Sequence, residues 1–126
     1  MVTIKYVTES LIIVDKLLPN PNEIETSALY YRLLTAIESI MDIIAMSIRD
    51  SGGIPKGDKS NIQYLLSEKR IEVDLSFHLL KCNGLRNVLV HQYNGIDREI
   101  VLRSVPDVRK SLTDLIDIIE EFLNEA

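Results

Sequence analysis

Apolar residues recur every three or four positions along almost the whole chain, and no segment alternates with a period of two. That spacing places side chains on one face of an α-helix, whereas a half-buried strand needs alternation. Ile4, Val7, Leu11, Val14 and Leu18 form one such stripe, which "PNPN" (19–22) interrupts. The second stripe is longer: Leu29, Leu33, Ala36, Ile37, Ile40, Ile44 and Ile48, widened by Leu34, Met41 and Ala45. A helix from about Glu23 to Arg49, buried on more than one side, follows from it. "DSGGIPKGDKS" (50–60) reads as a loop, with Ser60 as cap of a short helix through Leu65 and Leu66. A fourth helix is expected over Glu72 to Tyr93, closed by Asn94 and Gly95. Asp97 then caps a short turn through Val101 and Leu102, and a last helix starts at "SVPD", with Ser104 as cap and Pro106 in the first turn. Val108, Leu112, Leu115, Ile116, Ile119, Phe122 and Leu123 give that helix one apolar face.

The pattern predicts an all-α chain, an antiparallel bundle of four to five helices in a single domain over residues 1–126. With no Trp, five Tyr and two Phe, its core must be aliphatic. Tyr30 and Tyr31 are read as helix-packing residues. The net charge of −5 argues against broad electrostatic capture of nucleic acid, but leaves room for a local site for one phosphate. Cys82 is the only cysteine, so no intrachain disulfide can form and a reducing, cytoplasmic setting is expected. The amino terminus does not read as a signal peptide, and no apolar run approaches the roughly 20 residues of a membrane span.

Three segments invite a chemical reading. Gly52 and Gly57 have the spacing of a phosphate-cradling loop, but Asp58 stands where the lysine belongs and no strand precedes it, so a polar interhelix loop is the better description. His78 and Cys82 lie four apart without a second pair to complete a metal site, so they are read as core and flank positions, and no metal or cofactor is expected. The third is "RNVLVHQYNG" (86–95). Histidine changes charge near neutral pH and can move a proton. Arginine holds a phosphate in a planar, permanently charged fork. Arg86 and His91 would together suffice for RNA cleavage without a metal, the imidazole acting on the 2′-hydroxyl or the leaving oxygen and the guanidinium stabilising the phosphorane. The plain alternative is a helix end whose polar residues only pack.

Gly84, Asn87 and His91 share one helix face with Leu80 and Val88 beside it, and Gly84 would let a second helix approach closely. Arg86 falls roughly 140° from His91 on an ideal wheel. Three devices could bring them together: the arginine wraps around, the helix distorts before His91, or a second subunit closes the site.

Arg86, His91 and Tyr93 spell R-x-x-x-x-H-x-Y, and "RNVLVHQY" resembles the signature of HEPN-domain proteins of the HepT type. The long second helix and the segment "LKCNGLRNVLVHQYNGIDREIV" resemble the same family, so the likeness covers nearly the whole chain. The resemblance implies a HEPN-like helical ribonuclease, the toxin half of a type VII toxin–antitoxin pair. It implies Arg86 and His91 as the catalytic residues and Asn87 as their support. Tyr93 would be the hydroxyl that a minimal nucleotidyltransferase antitoxin, MntA, modifies with AMP, adding bulk and negative charge beside the pair. The expected partners are an RNA substrate such as a tRNA or an mRNA, the antitoxin and a second copy of the chain, with no membrane. The rival readings are a non-catalytic nucleotide- or RNA-binding partner of a nucleotidyltransferase, and an inert interaction bundle.

Overall fold

The computed structural model describes residues 2–91 and 95–125, with side chains described from Thr3 to Glu121. Five helices follow one another: α1 (Val2–Leu17), α2 (Glu23–Asp50), α3 (Asp58–Ser67), α4 (Val73–His91) and α5 (Arg98–Glu125). No strand occurs among the described residues. Phe122 and Leu123, expected on the apolar face of the last helix, have side chains outside this description.

The α2 stripe packs as its spacing predicts. Leu29, Leu33, Ala36, Ile37, Ile40, Ile44 and Ile48 are buried, joined by Val7, Leu11 and Val14 of α1. Leu79 and Leu89 of α4 and Val108, Leu112 and Leu115 of α5 complete the same core. Each such side chain removed from water contributes about 1.5–3 kcal/mol, which outweighs the ordering of residues with modest helix propensity. Asn22 starts α2 with a reciprocal capping box: its side chain accepts from the Glu25 amide while the Glu25 carboxylate accepts from the Asn22 amide.

Residues 51–57 reverse the chain after α2. Gly52 has φ +91°, and a Cβ at Gly53 would come within 2.8 Å of Ile48 and 2.9 Å of the Tyr64 hydroxyl. The glycines of this loop thus serve a turn and a close approach, as the interhelix-loop reading requires. The start of α3 differs from expectation. Gly57 occupies the cap position, so Ser60 already lies inside the helix. Asn61 ties the loop down instead, accepting from the Lys56 amide at 2.6 Å and donating to the Lys56 carbonyl at 3.1 Å.

The last helix also departs from the sequence expectation. Residues 98–125 form one helix, so the turn after Asp97 and the helix at Ser104 are a single element. Asp97 caps it, its Oδ1 accepting from the amides of Glu99 at 3.0 Å and Ile100 at 3.4 Å. Ser104 is mid-helix and its hydroxyl donates to the Val101 carbonyl at 2.6 Å. Pro106 lies inside the helix, where a proline costs about 3 kcal/mol. Val101 and Val105 are buried on the same face as Val108 and Leu112, and this burial carries the helix through the proline.

Candidate functional site

α4 is α-helical without interruption from Val73 to His91. The helix therefore does not distort before His91, and one of the three devices for joining Arg86 to His91 is absent. Arg86 emerges from the side of α4 that also carries the buried Leu79 and Cys82. Its guanidinium turns toward the neighbouring face: Nη1 donates to Asn87 Oδ1 at 3.0 Å, and Nη2 donates to Glu38 Oε2 of α2 at 3.5 Å. Asn87 lies one turn before His91 on the face they share. The guanidinium is thus held between Asn87, which shares a helix face with His91, and Glu38 of the neighbouring helix.

Both groups are open to solvent. The Arg86 side chain keeps 29% of its exposure, Glu38 keeps 43%, and His91 is exposed at the end of α4. Gly84 is exposed too, and a Cβ there would meet nothing within 4 Å among the described residues, so none of them requires a glycine at that position. Leu80 and Val88, expected at a contact between subunits, are half-buried. One turn below Arg86, Asn83 Oδ1 is buried without a hydrogen-bond partner among the described residues. Tyr93 lies outside the described residues.

Glu38 was not among the residues singled out from the sequence. Its only sequence signal is a carboxylate on the polar side of a mostly apolar helix, and pairing with Arg86 requires two helices to be docked. Tyr31, expected to pack, is 61% exposed instead, while Tyr30 is half-buried against the core. Desolvation raises the Tyr30 phenol above its usual range, and it remains neutral at physiological pH.

Two further candidates, His78 and Cys82, lie nearer the start of α4. Cys82 is buried, and desolvation pushes its thiol up to about 11, so it stays protonated at neutral pH. His78 and Cys82 acquire no third ligand, for no group of three His, Cys, Asp or Glu residues able to hold a metal forms among the described residues. A groove of about 720 Å³ opens beside His78, toward the start of α4. Its walls mix Lys69 and Lys110 with Asp107, Asp114 and Asp117, so it offers no single sign of charge to a ligand. No described helix is long and apolar enough to cross a membrane.

A sequence profile of the family described as Ribonuclease HepT-like matches residues 13–122, nearly the whole helical domain. The chain belongs to the HepT-like ribonuclease family. A candidate RNase of Archaeoglobus fulgidus is 43% identical over 122 residues, spanning 97% of this chain and 91% of the relative. The mRNA nuclease HepT of Shewanella oneidensis is 32% identical over 68 residues, which cover 54% of this chain and 51% of that protein. Among solved structures, a tri-AMPylated HEPN toxin of Shewanella oneidensis in complex with an MNT antitoxin superposes with a TM-score of 0.86 at 22% identity, covering 94% of each chain. At that identity the superposition speaks for the fold: five helices in the HepT-like arrangement, with no strand among the described residues.

Proposed function

We propose that this HepT-like chain is a metal-independent endoribonuclease and the toxin half of a two-component pair, with Arg86 and His91 as its catalytic residues. The observation that carries this reading is the Arg86 guanidinium bonded to Asn87, which shares a helix face with the exposed His91, on a helix that leaves Arg86 partly open to solvent. His91 takes the proton of an RNA 2′-hydroxyl as that oxygen attacks phosphorus. Arg86 neutralises the charge gathering on the equatorial oxygens. The phosphorus–5′-oxygen bond breaks, the leaving oxygen takes a proton from water, and the products end in a 2′,3′-cyclic phosphate and a 5′-hydroxyl. Asn87 orients the guanidinium.

Membership of the HepT-like family supports the nuclease assignment. The toxin–antitoxin complex of the structural relative supports the pairing with a nucleotidyltransferase antitoxin of the MntA type, and its AMPylated state supports AMP transfer as the modification, for which Tyr93 is the hydroxyl we propose here. A nucleotide attached at Tyr93, two residues beyond His91 in sequence, would add bulk and negative charge and repel an anionic substrate. A second copy would close the site along the open face of Gly84 and Asn87.

Cleavage of RNA in EDTA by the purified protein and its His91→Ala variant tests this reading. The wild type is expected to cut, and the variant to be slower by about 100-fold or more, the usual contribution of a positioned general base. Equal cutting by both, or by neither, removes the assignment; binding without cutting would leave a nucleotide-binding partner subunit.

A further inference from the structure

An acidic nuclease must hold RNA with something other than a broad basic surface. The chain carries a net charge of −5, and the candidate site itself contains Glu38, with Asp42 exposed one turn further along α2. Stacking of bases on aromatic rings is the sequence-tolerant contact that does not depend on charge.

The exposed face of α2 supplies such a ring. Arg86, on α4, reaches Glu38 at 3.5 Å. Arg98, just beyond the end of α4, donates to the Pro21 carbonyl at 2.6 Å, to Asn20 Oδ1 at 3.1 Å and to Thr26 Oγ1 at 3.4 Å. The chain beyond α4 therefore meets the beginning of α2, and α4 runs antiparallel to α2. Stepping from Arg86 to His91 along α4 corresponds to stepping back along α2 from Glu38 toward Leu33. At 1.5 Å per residue along both helices, His91 would stand about level with the turn that contains Tyr31. Tyr31 and Glu38 are seven residues apart, which puts them on the same face of α2 and about 10 Å apart along its axis.

Tyr31 is 61% exposed and is not part of the packed core. The other large exposed aromatic among the described residues, Phe77, lies about 21 Å back along α4 from His91 and already carries the Lys81 ammonium over its ring at 4.6 Å. We infer that Tyr31 forms a base-stacking subsite, taking the nucleobase of a single-stranded RNA next to the phosphate held by Arg86. The inference rests on the ribonuclease reading and adds to it the class of substrate, an unpaired strand whose bases are free to splay, since bases within a duplex cannot stack on a side chain. Because stacking supplies much of the affinity, the dependence on salt is shallow for an RNA-binding protein.

Equilibrium binding of a short fluorescent single-stranded RNA tests the subsite in the full-length protein, separately from cleavage. Tyr31→Ala is expected to weaken binding by about tenfold, and Tyr31→Phe, which keeps the ring, to restore it. The sequence has no tryptophan, so Tyr31→Trp provides a single reporter whose emission falls on stacking as RNA is added. If RNA binds and is cut while Tyr31→Ala matches the wild type, the subsite is wrong and the nuclease stands. A Phe variant as weak as the Ala variant means the hydroxyl makes the contact, and the stacking idea is overturned. Loss of association with a nucleotidyltransferase at unchanged RNA affinity would assign Tyr31 to a protein interface. If the wild type neither binds nor cuts RNA, the ribonuclease reading and the subsite fall together.

Discussion

Arg86 of α4 donates to Glu38 of α2 at 3.5 Å, joining the candidate phosphate-binding group to a carboxylate 48 positions away in sequence. Both side chains are partly exposed, so the pair contributes little to stability, under about 1 kcal/mol. Its consequence is electrostatic. Any anion that approaches Arg86 must compete with Glu38 for the same guanidinium.

Glu38→Gln keeps an acceptor for Arg86 and removes the competing charge. RNA affinity at low salt is expected to rise about two- to tenfold, with the urea midpoint nearly unchanged. Filter or anisotropy titrations at two salt concentrations would show it; weaker binding would mean that Glu38 chiefly holds Arg86 in position.

Tyr93→Phe removes the hydroxyl proposed to carry AMP and keeps the ring. The variant is expected to retain RNA cleavage while gaining no mass on incubation with a nucleotidyltransferase partner and ATP. Intact-protein mass spectrometry reads the second part. An inactive Phe variant would place the phenol in the catalytic machinery instead.

Cys82 makes alkaline stability measurable at one residue. Burial lifts its thiol from 9.0 to about 11. Between those values the unfolded chain has released a proton that the folded chain still holds, so stability falls as pH rises. The contribution is whole below about pH 9 and lost by about pH 11, roughly 2–3 kcal/mol. Urea unfolding at pH 8 and at pH 10.5, compared with Cys82→Ala, isolates it; parallel losses in both proteins would show that the thiol is not responsible.

Lys69 has φ 57°, and closes α3 where the Arg70 amide donates to the Leu65 carbonyl and the Lys69 amide to the Leu66 carbonyl. This is the left-handed helix-ending position that favours glycine. Lys69→Gly is expected to stabilise the protein by about 0.5–1 kcal/mol, seen as a higher urea midpoint with an unchanged slope.

The helices most legible in the sequence were those with long apolar stripes. α2 ends one residue beyond the expected Arg49, because its burial pattern and the glycines after it mark both limits. The start of α5 was misplaced by the local signal of "SVPD", in which a cap residue and a proline imitate a beginning. Burial of Val101 and Val105 overrides that signal, and no local rule weighs a proline against a distant core. Tyr30 and Tyr31 illustrate the same limit: adjacent aromatics have equal local claims to packing, and only the docking of neighbouring helices leaves one half-buried and the other exposed.

The sequence by itself determined an all-helical chain, the aliphatic faces of its helices and the placing of Arg86, Asn87 and His91 near one helix end, since these follow from residue order at 100° per step. Tertiary structure decided what surrounds them. The Glu38 carboxylate on Arg86, the direction in which the guanidinium turns and the exposure of Tyr31 depend on how the helices pack, a relation between segments dozens of residues apart that local spacing does not encode.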